Sequence, residues 1–298
     1  MNTRPVVGID LGGTASRIVV TAGGKVLASS TLTTPHEVGR ALAIYVTHIR
    51  RALDMAGVAV ANIAGIGIGA SGPVDADGII RNPESLPALS DIPFRTALED
   101  EFDTACVVDN DAVTAALAEA HQVHGRSRNG LLMVTLGTGV GVALIRNGRP
   151  YRGADGIHPE GGHITIAGPP APCYCGRATC LEQLASRSSL QASALAVTGS
   201  EDLAALGASV REGKTAAADV FAEYGTYVGN GLVELCTQHR PASVVLGGSA
   251  SRYLEFFHSP LMARLMALRD APVPDVFASR LDDLGGAVGA ASLIGGSQ

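Results

Sequence analysis

Cys173, Cys175 and Cys180 follow His163 in the stretch from Gly153 to Glu182, which reads GADGIHPEGGHITIAGPPAPCYCGRATCLE. Three thiolates and one imidazole complete a tetrahedral shell for Zn²⁺, and a closed Cys3His shell reads as structural rather than catalytic because no position stays open for substrate. Chance pairing or a set of redox thiols is the alternative for a C-x-C pair with a third Cys five residues on. The nearness of His163 favours the metal, as does a segment that Pro169, Pro170 and Pro172 turn into a loop able to fold back. Glu160 and Glu182 are tied to these ligands by short spacers, so the metal would fix the backbone that positions two carboxylates.

A second kind of chemistry lies where glycines follow carboxylates or strands. Asp10-Leu11-Gly12-Gly13-Thr14 can bring backbone N–H groups close to an anion, as phosphate-cradling nests do. Read alone, the same residues fit a plain hairpin turn. No G-K-[ST] follows, so this is not a Walker loop, and no helix follows, so it is not a dinucleotide fingerprint. Asp109-Asn110-Asp111 ends an apolar run just before a helical pattern. That arrangement puts carboxylates at the carboxyl edge of a sheet, where open α/β sheets bind ligands. Gly137-Thr138-Gly139-Val140-Gly141 and Gly247-Gly248-Ser249 are two further glycine turns.

The elements that must position these residues follow from periodicity. Val6, Val7 and Ile9 lead as a strand into the first glycine turn, Ile18-Val19-Val20 leads out, and Lys25 to Thr31 adds a third strand. Val38, Leu42, Tyr45, Ile49 and Leu53 recur at helical spacing up to Gly57. Strands are expected over Ile63–Gly69 and Cys106–Val108, with helices over Phe94–Phe102 and Ala112–His124. Leu131–Leu136, the Gly-Thr-Gly turn and Val142–Ile145 then repeat the strand–turn–strand grammar of the first twenty residues. A long helix over Thr215–His239, a strand over Ser243–Leu246 and a small-residue helix over Leu284–Ile294 complete the pattern.

Composition bounds the classes. At 298 residues, with 46% hydrophobic and 17% charged residues, the chain can fill two cores. A net charge of −6 with no basic run argues against a general nucleic-acid binder. No apolar run reaches a membrane span and the N-terminal residues lack a signal-peptide core. Five cysteines, three of them committed to metal, fit a reducing cytoplasm, with Cys106 and Cys236 expected as core thiols.

The metal stretch resembles the signature of the ROK family (repressors, open reading frames, sugar kinases), in which C-x-C-G-x-x-G-C-x-E follows a G-E-x-G-H segment. Here Glu160, Gly162 and His163 precede Cys173, Cys175, Gly176, Cys180 and Glu182. Thr179 and Pro159 depart from the pattern, each standing where the family usually has Gly. Asp10 to Thr14, Gly72-Pro73, Asn110-Asp111-Ala112, Gly137 to Gly141 and Gly247-Gly248 extend the resemblance along the chain in the family's order. The echoed glycine turns likewise resemble the plan of the actin and sugar-kinase ATPase superfamily, two similar lobes each offering a phosphate nest.

The resemblance implies an α/β, two-lobed, actin-like (ribonuclease-H-like) ATPase fold with a catalytic cleft between the lobes and a zinc-stapled loop over 153–182. The expected lobes are a small one over 1–118, joined by a C-terminal helix over 284–298, and a larger one over 119–283. It implies ATP-dependent phosphorylation of a hexose, with the 6-hydroxyl of glucose as the default. Asp111 is the implied general base, taking the proton of the hydroxyl as it attacks the γ-phosphorus; a helix-capping aspartate is the alternative, and Asp109 is expected as the cap or a supporting residue. Asn82, Asn110, Glu160, His163 and Glu182 are the implied hexose ligands, His163 giving one nitrogen to zinc and the other to the sugar. Gly12, Gly13 and Thr14 with Gly137, Thr138 and Gly139 would cradle the ATP phosphates. Asp10 would hold Mg²⁺ through water, and Gly247-Gly248 would let adenosine lie against backbone.

Fructose, mannose, allose, N-acetylglucosamine and N-acetylmannosamine stay open as substrates, and polyphosphate as donor. A sugar-sensing ROK protein without turnover is a rival, although repressor relatives carry N-terminal DNA-binding helices for which a first strand starting by Pro5 leaves no room. A zinc module for a protein or nucleic-acid partner is a second rival, disfavoured by the acidic balance and the repeated turn. A cytoplasmic homodimer with no membrane partner is the expectation.

Overall fold

Apolar runs punctuated by glycine form the strands, and stripes of helical period form the helices. The computed structural model describes residues 4–122, 130–154, 156–269 and 271–295. In chain order the elements are β1 (Val6–Leu11), β2 (Ala15–Ala22), β3 (Lys25–Thr33), α1 (Ala41–Ala56), β4 (Ile66–Ala70), α2 (Phe94–Phe102), β5 (Cys106–Asn110) and α3 (Asp111–Gln122). There follow β6 (Leu131–Leu136), β7 (Val140–Arg146), β8 (Arg149–Pro150), α4 (Leu181–Ala185), α5 (Arg187–Thr198), α6 (Leu203–Arg211) and α7 (Thr215–His239). The series closes with β9 (Ser243–Gly247), α8 (Leu254–Leu265), β10 (Asp275–Ala278) and α9 (Gly285–Ser292). The chain divides into two compact units, one of residues 1–124, 148–158 and 280–298 and one of residues 125–147 and 159–279.

In the first unit a five-stranded sheet runs β3-β2-β1-β4-β5. β1 and β2 form an antiparallel hairpin around the Gly12-Gly13 turn, while β1, β4 and β5 are parallel. Their register aligns Asp10 with Gly69 and Gly69 with Asp109, then Leu11 with Ala70 and Ala70 with Asn110. Three carboxyl-terminal strand ends therefore finish level, and the polar residues that follow them share one sheet edge. One face of the sheet packs on α1 and α2 through Ile9, Ile18, Tyr45, Ile49, Ile68 and Phe94, all buried. The other carries α9. Its small residues reach the sheet backbone: a Cβ on Gly8 would run into the Ala287 carbonyl and one on Gly67 into the Ala290 carbonyl.

The second unit repeats the plan with its own core. β6 and β7 form an antiparallel hairpin around Gly137–Gly139, and β6 lies parallel to β9, which lies parallel to β10. α7 buries Val220, Phe221, Tyr224, Val228, Leu232 and Leu235. Gly225 admits α8, since a Cβ there would stand 2.5 Å from the Phe257 carbonyl oxygen.

Several boundaries differ from the periodicity reading. α1 starts at Ala41, and Val38 lies outside it, 73% exposed, because Gly39 takes the left-handed φ of 89° and breaks the helical path. β3 continues to Thr33, β4 starts at Ile66, and α3 starts one residue early at Asp111. His124, the expected end of that helix, lies outside the described residues, as do residues 296–298 of the expected C-terminal segment.

Candidate active site and metal centre

In the first unit Asp10 and Asp111 leave β1 and β5 on the common edge. Burial raises the Asp111 carboxyl to about 7, the negative charge of Asp10 adds to the rise, and hydrogen bonds from the Ala112 N–H and the Ser71 hydroxyl oppose it. Burial also raises Asp10 to about 6, against Arg17, whose guanidinium stands 3.9 Å away. Two oxygen-donor groups whose charges are costly to bury suit a hard, hydrated dication such as Mg²⁺. A Cβ on Gly286 would lie 2.9 Å from Asp10 Cγ, so the glycine at the start of α9 makes room for this carboxylate.

The neighbouring loops are braced by amides. The Ala112 N–H donates to Asn110 Oδ1 and Asp111 Oδ1, both at 2.8 Å, and Asn110 Nδ2 donates to the Gly72 carbonyl at 3.0 Å. Asn82 Nδ2 donates to the Ser71 carbonyl at 3.0 Å, and Asn82 Oδ1 accepts from the Ser85 N–H at 3.2 Å. Each amide thus keeps one N–H and one lone pair for a ligand. Asp109 accepts from the Asn110 N–H at 2.7 Å and pairs with Arg152, which holds the end of β5 in place. Burial beside the Arg152 charge also pushes His158 down to about 4.

The first glycine turn has its carbonyls tied down. Thr34 Oγ1 donates to the Gly12 carbonyl at 2.5 Å, the Thr34 N–H to Thr14 O at 3.1 Å, and His36 Nε2 meets Gly13 O at 3.1 Å. No acceptor among the described residues takes the N–H groups of Gly12, Gly13 or Thr14. The turn of the second unit follows the same rule. Gly139 O accepts from the Gly137 N–H at 3.0 Å, Gly137 O from the Arg187 N–H at 2.7 Å, and Thr138 O from Ser188 Oγ at 3.1 Å. The N–H groups of Thr138 and Gly139 have no acceptor among the described residues. Carbonyls fixed and N–H groups free make a nest for anionic oxygen.

Also in the second unit, the side-chain ligand atoms of His163, Cys173, Cys175 and Cys180 lie within 4.8 Å of one another. His163 Nδ1 faces Cys173 Sγ at 3.5 Å, and the Cys175 and Cys180 sulfurs are 3.4 Å apart. A Zn–S length of about 2.3 Å separates tetrahedral sulfurs by ~3.8 Å, so the donor set and its clustering fit this ion, with the widest spacing closing by up to about 1 Å on binding. Glu160 stands in the same neighbourhood: burial raises its carboxyl, His163 lowers it and Glu182 raises it. The Gly161-Gly162 pair is forced by packing, since a Cβ on Gly162 would strike the Val140 carbonyl and one on Gly161 would come 2.8 Å from Val142 Cβ. Glu182 Oε2 accepts from the Val140 N–H at 3.1 Å, and a Cβ on Gly139 would collide with that carboxylate. Glu160, His163, Glu182 and the Gly137–Gly139 turn thus form one assembly. Gly247 and Gly248 owe their identity to packing inside the unit: Gly248 takes φ 77° and a Cβ there would lie 2.6 Å from the Leu136 carbonyl carbon, while one on Gly247 would strike the Met133 methyl.

Residues outside the motifs complete these sites. Arg17 faces Asp10 because the hairpin register pairs them, a signal latent in the length of the turn. Tyr174, between Cys173 and Cys175, sets its hydroxyl 2.8 Å from His163 Nε2, while His163 Nδ1 faces Cys173 Sγ. Ser71, Arg152 and Arg187 carried no readable signal, since each acts through a partner distant in sequence.

The ROK family profile matches residues 6–296. A glucokinase of Halalkalibacterium halodurans is 31% identical over 318 aligned residues, covering 99% of this chain and 94% of its own length. The ROK hexokinase of Thermus thermophilus superposes with a TM-score of 0.82 at 32% identity, with 96% of each chain covered. A ROK family glucokinase from Streptomyces griseus in complex with glucose and AMPPNP superposes with a TM-score of 0.79 at 27% identity, over 97% of this chain and 98% of that one.

Proposed function

The chain belongs to the ROK family, and from that premise we propose that it transfers the γ-phosphoryl group of ATP to the 6-hydroxyl of glucose. It is an ATP-dependent hexose kinase, as its glucokinase and hexokinase relatives are. The observation that carries the assignment of the base is the Asp111 carboxyl, raised to about 7 at the level edge of β1, β4 and β5. A carboxylate poised near neutrality accepts the proton of a sugar hydroxyl in step with its attack on phosphorus.

Asn82 and Asn110 in the first unit, with Glu160, His163 and Glu182 in the second, are the proposed hexose ligands. Gly12, Gly13 and Thr14, and Gly137, Thr138 and Gly139, would meet the donor phosphates through the free N–H groups of their turns. Gly247-Gly248 would take the adenosine. Asp10 would hold hydrated Mg²⁺, which when bound neutralises charge on the transferring phosphates. His163, Cys173, Cys175 and Cys180 would hold a structural Zn²⁺ that fixes the loop between the hexose ligands. The division at 118 and 119 with residues 284–298 returning to the first lobe, a homodimer and a cytoplasmic location belong to the same reading. No described helix is long and apolar enough to cross a membrane.

The test is ADP release, coupled to a spectrophotometric assay, across a panel of hexoses at fixed MgATP. Turnover with glucose that vanishes in Asp111→Asn is expected. Faster turnover with fructose, mannose, allose or an N-acetylated hexosamine would reassign the substrate, and hexose binding without any ADP release would overturn the kinase.

A further inference from the structure

Arg187 opens α5 and has no part in the roles assigned above. Its N–H donates to the Gly137 carbonyl at 2.7 Å, and its Nη2 donates to Thr138 Oγ1 at 3.3 Å. The side chain is half-buried, and its Nε is buried with no hydrogen-bond partner. No carboxylate among the described residues forms an ion pair with it. A guanidinium that gives up water for one neutral hydroxyl is poorly compensated by the fold itself. It sits against a turn whose carbonyls are all occupied and whose Thr138 and Gly139 N–H groups are not. Anionic oxygen on those N–H groups would supply the missing counter-charge, and the planar fork of Arg suits phosphate oxygens.

We propose that Arg187 is a phosphate-binding residue of the donor turn, a fixed cation for the polyanionic chain of the phosphoryl donor. The proposal rests on the reading of Gly137–Gly139 as part of the donor site. It also assigns a second duty to the start of α5: its backbone shapes the turn while its side chain supplies charge to what lies on it. The shared chemistry is a chain of phosphates, carried by a nucleoside triphosphate or by inorganic polyphosphate.

The experiment uses the full-length protein and four variants, R187Q, R187K, R187M and G137A. A Cβ on Gly137 would meet only the Gly139 carbonyl oxygen at 3.8 Å, so G137A tests ligand space without a clash inside the protein. Steady-state kinetics are run with ATP and separately with inorganic polyphosphate, and ATP binding without hexose is titrated calorimetrically at several salt concentrations. R187Q should raise the donor KM about tenfold, the scale of one charge-assisted hydrogen bond. The hexose KM should stay within about twofold, R187K should recover much of the loss, and the salt dependence of ATP binding should flatten in R187Q. R187M keeps the aliphatic stem and replaces R187Q should the latter fold poorly. A larger effect with ATP identifies the nucleotide as the natural chain, and a larger effect with polyphosphate identifies the inorganic one. An unchanged donor KM in R187Q beside a raised one in G137A overturns the role of Arg187 and leaves the donor turn standing. Unchanged donor KM in both overturns the turn as well, and an equal rise in hexose KM that Lys does not rescue reduces Arg187 to a structural residue.

Discussion

Asp111→Asn removes a proton acceptor and a partly buried charge together, so activity and stability should move in opposite directions. The folded carboxyl is raised from 3.8 to about 7, with burial as the main cause and the charge of Asp10 as the second. At about 1.4 kcal/mol per unit, ionising it in the folded protein costs up to about 4 kcal/mol, an upper bound because the side chain is only partly hidden from solvent. The sign follows from proton uptake. Below the unfolded value both states are protonated and the penalty is absent; it grows as pH rises and is complete above about 7. Asparagine never ionises and its carbonyl can still accept the Ala112 N–H. Urea denaturation should therefore find D111N more stable than wild type at pH 8, with most of the gain gone at pH 5. Turnover in the coupled assay should fall by roughly two to four orders of magnitude. Wild-type kcat/KM for hexose should itself decline as pH drops below about 7, because the protonated carboxyl cannot accept a proton. Wild-type turnover in D111N, or a stability difference equal at pH 5 and pH 8, would refute the reasoning.

Gly139→Ala should raise both the ATP and the hexose KM, because the new Cβ displaces Glu182; Gly137→Ala, with open space around it, should raise the ATP value alone. Cys180→Ala should lose metal and stability together, since binding energy at a closed site is folding energy. Cys180 directly precedes the helix that carries Glu182 to the Val140 N–H. Both kinetic constants of residual C180A should therefore deteriorate, and elemental analysis of wild type should find about one zinc per chain. Arg152→Met leaves the Asp109 carboxylate in place without its cation, and should lower stability by about 2 kcal/mol after allowance for the partial exposure of Arg152. Denaturation of R152M at pH 8 checks this; an unchanged midpoint would deny Arg152 its part in holding β5.

The Cys3His cluster, the glycine turns and the place of Asp111 after a strand were legible because each depends on residue type at short spacing. Cys173, Cys175 and Cys180 are one loop apart, and the strand–turn–strand units repeat where hydrophobic runs and glycines said they would. What glycine means at each position was not legible. Gly162 and Gly248 are required by backbone carbonyls of neighbouring strands, whereas Gly137 has free space around it. All three read alike in the sequence.

That Asp111 follows a strand and opens a helix is a local property, and the sequence by itself determined it. Its elevated pKa is not local, because desolvation and the field of Asp10 are sums over groups that only sheet register brings together. The same holds for Glu182, which the sequence placed two residues after Cys180 and which the fold turns toward the Val140 N–H. Arg187 is the extreme case, an arginine after a serine N-cap with no motif around it. Packing of α5 on the β6–β7 turn alone set its charge beside unoccupied N–H groups, since a hydrogen bond acts over about 3 Å and ignores the sequence separation of 49 between Thr138 and Arg187.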